Sequence, residues 1–138
     1  MSYQLEVDVT ALAHEMDLLT TPYVFDVDEA KRMTAAGADI VVAHKGCTSG
    51  GTIGAKTVSP LEQCVKDVQA IVDAVKTARS DALVLCHGGP IAFPKDAAYL
   101  FERVRALDGF YGASSMERLP VEVALTEQTP KFKRIARR

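Results

Sequence analysis

Apolar residues along this chain change rhythm from one segment to the next. Leu5, Val9, Leu12 and Met16 recur at helical spacing and predict an amphipathic helix at the start. The run from Leu18 to Phe25 is strand-like, rich in Leu, Thr, Tyr and Val. Asp26 or Asp28 can cap a helix through Glu29 to Ala36, and Gly37 stands where a terminating glycine belongs. Ile40-Val41-Val42-Ala43 is wholly apolar, the signature of a strand covered on both faces.

The segment Gly46 to Thr57 carries Gly46, Gly50, Gly51 and Gly54 and reads as a loop. Ser59-Pro60-Leu61-Glu62 has the spacing of a capping box with proline at its first helical position. The helix it opens places Leu61, Val65, Val68, Val72 and Val75 on one stripe. Ala82-Leu83-Val84-Leu85-Cys86 is a second buried strand, ending at His87-Gly88-Gly89-Pro90. Pro94 starts a further helix with Ala97, Leu100, Val104 and Leu107 on its apolar face. Gly109-Phe110-Tyr111-Gly112-Ala113 is a fourth strand, and a last helix begins near Pro120.

The alternation amounts to four βα units, which demand a largely parallel sheet with right-handed crossovers. Ala38 to Gly46 echoes Ser80 to Gly88, a likeness of strand chemistry rather than a proven duplication. A complete (β/α)8 barrel takes about 250 residues, and this chain has 138. The expected fold is therefore α/β, a parallel (βα)4 half of a TIM barrel forming one domain over residues 1–138. Completion by dimerisation, closure as a small open sheet, and a missing N-terminal half that would make the chain a piece of something longer all remain open.

Composition adds exclusions. A hydrophobic fraction of 48% and a formal charge of -2 fit a soluble globular protein without an electrostatic footprint for nucleic acid or membrane. The C-terminal cluster Lys131, Lys133, Arg134, Arg137 and Arg138 reads as a solvated helix end that complements the helix dipole. Cys47, Cys64 and Cys86 form no disulfide framework, and the N-terminus lacks the regions of a signal peptide, so a cytoplasmic location is expected.

Candidate chemistry collects at the strand ends, where parallel α/β folds place their sites. His44 and His87 each close a strand and each precede a glycine-bearing loop. An imidazole there can act as acid, base or metal ligand, or simply hydrogen-bond within the barrel mouth. His14, on the first helix, reads as a surface residue. Gly88, Gly89, Gly112, Ser114 and Ser115 can offer amides and hydroxyls to an anion, although Gly88-Gly89-Pro90 also suits a tight turn and Ser115 an N-cap. Lys56 lies in a loop that is no Walker A match and can reach an anionic substrate or belong to a lid. Glu117 and Arg118 read as an ion pair at a helix start. Cys47 and Cys86 lie near the histidines in sequence, and small buried hydrophobes are the simpler reading of them. No metal is assigned: Mg2+ would want carboxylates at strand ends, and this chain has none there.

Together, Leu19 to Phe25, Ala36 to His44, Gly50 to Thr57, Leu85 to Ile91 and Gly109 to Pro120 resemble the phosphoenolpyruvate hydrolase-like family of TIM-barrel proteins. That family also supplies the C-terminal domain of a plant tobamovirus-resistance protein. The resemblance covers nearly the whole chain and corresponds to the family's C-terminal half, from about the fifth strand onward. Lys45 and Cys47 depart from the apolar residues that the pattern places beside the glycine. The resemblance implies an enzyme acting on a small anionic carbonyl or enol-phosphate substrate. It would use His44 and His87 for proton transfer and the glycine–serine loops after strands seven and eight for the anion. The alternative is a non-catalytic ligand-binding or assembly subunit. The partners expected are a small anionic substrate and either a second copy or a complementary half-barrel chain.

Overall fold

The computed structural model describes residues 2–136; Arg137 and Arg138 of the basic cluster lie outside the described residues. Nine elements follow in order: α1 (Tyr3–Glu15), β1 (Tyr23–Val24), α2 (Val27–Ala35), β2 (Ile40–His44), α3 (Leu61–Ala78), β3 (Leu83–His87), α4 (Pro94–Phe101), β4 (Gly109–Phe110) and α5 (Leu119–Lys133). The strands form one sheet in the order β1-β2-β3-β4, and every pairing is parallel.

That order decides the layering. Each right-handed crossover steps to the next strand in the same direction, so α2, α3 and α4 all lie on one face of the sheet. Alternate strand residues point toward them: Val24, Val41, Ala43, Val84 and Cys86 meet Met33, Val68, Ile71, Val72, Val75 and Leu100 in one buried cluster. The other face carries Tyr23, Val42, His44, Leu83, Leu85 and His87, because directly paired residues share a side. A doubly wound sheet would have reversed its strand order and covered this face with helices. The arrangement is that of four consecutive units of a (β/α)8 barrel, opened along two edges.

Local chemistry sets most element ends. Asp26 caps α2 by accepting from the Glu29 amide at 2.9 Å. At its other end the Gly37 amide reaches the Thr34 carbonyl and the Ala38 amide that of Met33, a Schellman turn with Gly37 at φ +92°. In α4, which begins at Pro94, the Asp96 carboxylate accepts from the Phe93 and Ala92 amides.

Four expectations need correction. The capping box at Ser59 does not form: the Cys64 and Gln63 amides bond to the Pro60 carbonyl, so α3 starts one residue later and Ser59 lies outside it. The helix at Pro94 ends at Phe101, and the chain then turns through Ala106 at φ +58°, although Val104 remains buried. The first and last strands are shorter than their apolar runs, because each has only one neighbour to pair with. Finally, the continuous apolar strands suggested cover on both faces, yet Leu83 is 43% exposed.

Candidate active site

The register places His44 directly opposite His87 at the C-terminal ends of β2 and β3. Their rings lie 4.8 Å apart between centroids. Tyr23 packs against both, at 4.7 Å from His44 and 5.3 Å from His87. Phe25 flanks His44 and Tyr111 flanks His87, so five aromatic rings from four strand ends form one cluster. Burial, then the neighbouring Tyr111, raises the Tyr23 hydroxyl above its ordinary range and keeps it protonated at neutral pH.

Hydrogen bonding fixes opposite protonation patterns in the two imidazoles. His44 Nδ1 faces the Gly46 amide at 3.0 Å. An amide can only donate, so His44 Nδ1 is unprotonated and its proton sits on Nε2. His87 Nδ1 meets the Tyr111 carbonyl oxygen, which can only accept. His87 Nδ1 therefore carries a proton, and in the neutral ring the lone pair sits on Nε2. Burial, and after it the charges of His87 and Lys45, hold His44 below the usual histidine range. One ring thus offers an N–H and the other a lone pair, side by side.

Both histidines line a cleft of about 430 Å3, together with Cys47, Thr48, Ile53, Ser114, Glu117 and Arg118. Its volume suits a small molecule. Arg118 lies in the lining, held by the Gly50 carbonyl at 3.1 Å and by Glu122 at 3.0 Å. Glu122 also accepts from the Thr52 amide and hydroxyl. The Thr52 amide, followed by Arg118, keeps its carboxyl below the ordinary range. The glycine-rich loop is thereby tied to the start of α5. The same loop is stitched to the β3 end, with the Ser49 amide on the Gly89 carbonyl and the Gly89 amide on the Gly46 carbonyl.

The structure brings His44, His87 and Ser114 into one cleft. Gly88 and Gly89 pack beneath it, where an added Cβ would overlap the Gly46 and Lys45 carbonyl oxygens, and the Gly89 amide is already occupied. Gly112 packs beside Met116. Lys56 is exposed and outside the lining, while Ser115 opens onto a separate apolar groove beside α4. Arg118 pairs with Glu122 rather than with Glu117, which corrects the expected helix-start pair. Lys45 points to the helix side and binds Asp67 at 2.7 Å, so its departure from the family pattern reaches His44 only through its charge. Cys86 faces the helices too, and burial pushes its thiol up to about 12, which removes it as a nucleophile. Cys47 is exposed and lines the cleft. Tyr23, Tyr111 and Arg118 are the site residues that sequence reading missed. A tyrosine near a strand end, in step with the histidines, was the available signal for the first two.

Among the described residues no group of three or more His, Cys, Asp or Glu side chains is placed to hold a metal ion. Nor is any helix among them long and apolar enough to cross a membrane.

These features define a class: a singly wound parallel βα protein whose polar cleft lies beyond the C-terminal strand ends. The chain belongs to the phosphoenolpyruvate hydrolase-like family, whose model matches residues 1–135. It is 57% identical over 136 residues to the ToMV susceptible protein tm-1(GCR26) of Solanum lycopersicum, covering 99% of this chain and 18% of that protein. The ToMV resistance protein Tm-1(GCR237) of the same plant matches to the same extent. A putative transcriptional regulatory protein, y4pA of Sinorhizobium fredii, is 30% identical over 135 residues, covering 98% of this chain and 22% of its own length. The chain thus spans about a fifth of the length of these curated relatives. Among solved structures, a nitroalkane oxidase from Streptomyces ansochromogenes aligns with a TM-score of 0.45 and 24% identity, over 80% of this chain and 31% of that one. This last likeness is too distant to carry an argument.

Proposed function

We propose that the cleft transfers protons on a small carbonyl compound bearing a carboxylate. The observation that carries this reading is the complementary protonation of two adjacent imidazoles in one cleft. His87 Nε2 takes a proton from the carbon beside the carbonyl. The C–H electron pair becomes the C=C bond of an enolate, and the enolate oxygen accepts a hydrogen bond from His44 Nε2–H. Return of the proton from the His87 imidazolium completes the cycle, with no oxidant or reductant involved. Ser114 and Arg118 are the donors available to the anionic group. Because Glu122 already balances Arg118, the cleft favours a single carboxylate over a doubly charged phosphate.

The test follows solvent exchange by proton NMR in D2O, with pyruvate as substrate, with and without Mg2+. Carbon-bound protons should exchange, the rate should fall by about 100-fold or more in His87→Ala, and His14→Ala on α1 should match the wild type. Absence of exchange in the wild type, or its survival in His87→Ala, overturns the proposal. The uncovered sheet face favours one second reading, a non-catalytic assembly subunit, which that negative result would leave standing.

A further inference from the structure

The glycine-rich segment after β2 is internally folded and fastened at two points. At its base the Ala55 amide donates to the Thr48 carbonyl at 3.1 Å, and the Ser49 amide to the Gly89 carbonyl. Its tip is clasped to the first turn of α5. Arg118 Nη1 donates to the Gly50 carbonyl at 3.1 Å and to Glu122 at 3.0 Å. Glu122 in turn accepts from the Thr52 amide at 2.8 Å and the Thr52 hydroxyl at 3.1 Å. Gly51 lies so close that an added Cβ would overlap both the Glu122 carboxylate and the Arg118 guanidinium. The clasp occupies both hydrogens of Nη1. Nε and Nη2 of Arg118 have no hydrogen-bond partner among the described residues, and they form a fork that meets a planar carboxylate with two parallel bonds. Arg118 lines the cleft with His44 and Ser114, and so does Ile53, 80% exposed at the loop tip. An isoleucine at the cleft mouth has apolar surface to bury over a bound molecule.

We propose that Glu122 is the positioning residue for Arg118, and that its clasp makes carboxylate binding and closure of the loop over residues 46–57 a single event. Glu122 is outside the cleft lining and acts through the guanidinium. With the clasp made, Arg118 is held in one orientation and its Nε–Nη2 fork is left for the ligand. With the clasp broken, a long side chain must be ordered at the moment of binding, which weakens affinity. The clasped form is therefore the one that binds, and linkage requires a bound carboxylate to hold the loop shut in return. A ligand that took Nη1 from Gly50 and Glu122 would have the opposite effect and loosen the loop. This inference rests on the reading of the cleft as a carboxylate site, and its test separates the two.

Trypsin cleavage after Lys56, an exposed residue of the loop, reports closure when followed by mass spectrometry on the full 138-residue chain. Pyruvate affinity is read in parallel by NMR titration. Saturating pyruvate should slow this cleavage in the wild type by about fivefold or more. Glu122→Ala should speed it and weaken pyruvate binding by about tenfold, raising KM in the exchange assay while kcat stays within about twofold. Gly51→Ala removes no polar group and should act in the same direction by wedging the clasp apart. Arg118→Lys keeps the charge without the fork and should abolish the protection by pyruvate. Glu127→Ala, exposed further along α5, should match the wild type. Far-UV circular dichroism checks that each variant is folded. Pyruvate that binds the wild type and Glu122→Ala equally, or that speeds the cleavage, overturns this inference and leaves the proton-transfer reading standing. No pyruvate binding by the wild type overturns both.

Discussion

Replacing Gly89 by alanine puts a methyl group against the Lys45 carbonyl oxygen, in a backbone held at φ +58°. The left-handed conformation alone costs an L residue about 1–2 kcal/mol. The overlap then forces the β3 end away from the β2 loop, where the Gly89 amide meets the Gly46 carbonyl at 2.7 Å and the Ser49 amide meets the Gly89 carbonyl at 2.9 Å. Losing one such bond adds about 1 kcal/mol, for a total of about 2–3 kcal/mol. Gly46 is the internal control. It too has positive φ, +96°, but an added Cβ there meets nothing within 4 Å. Gly46→Ala should therefore show the conformational cost alone, about 1–2 kcal/mol. Urea unfolding of both variants at one fixed protein concentration separates the two contributions. With a slope of about 2 kcal/mol per molar, the midpoint should fall by about 1–1.5 M in Gly89→Ala and by about 0.5 M less than that in Gly46→Ala. Equal shifts in the two variants would refute the close-packing account of the glycine pair.

Three further outcomes follow from the packing and electrostatics. Unfolded His44 takes its proton near pH 6.5, whereas the folded residue resists it, so this contribution is intact above that pH and is lost as pH falls through the folded value. His44→Gln should flatten the urea-derived stability curve between neutrality and pH 5, removing a slope of at most about 1.4 kcal/mol per pH unit; an unchanged slope places the titration elsewhere. Burial raises the Asp67 carboxyl, but hydrogen bonds from Lys45 and Gln63 outweigh it and leave the group below its ordinary range. The resulting stability is present above about pH 4 and lost below it, and Asp67→Asn should cost about 1 kcal/mol at pH 7. Ile71, fully buried between α3 and the sheet, should lose about 3 kcal/mol on change to alanine by thermal or urea unfolding.

Several features were legible before any coordinates. The alternation of short apolar runs with helical stripes is local, and it carried the βα order, the Asp26 cap and the Gly37 terminator. The strand-end placement of His44 and His87 was legible for the same reason, since a strand's last residue is set by where its apolar run stops. The Ser59 box failed because its spacing specifies a motif without specifying which carbonyl receives the first helical bond. Arg118 was hidden because its partners, Gly50 and Glu122, belong to a distant loop and to the next helical turn.

What the sequence by itself determined is the list of elements and the chemistry at their ends, because propensity, capping and periodicity act over a few residues. Only the tertiary structure decided which side of the sheet each strand residue faces, and so separated Lys45 and Cys86 from the histidines they adjoin. It also decided the protonation of the two imidazoles, because that depends on a donor from the Gly46 loop and an acceptor at Tyr111, 24 residues beyond His87. A histidine codon specifies a ring with two nitrogens, and the fold chooses which of them is the acid and which the base.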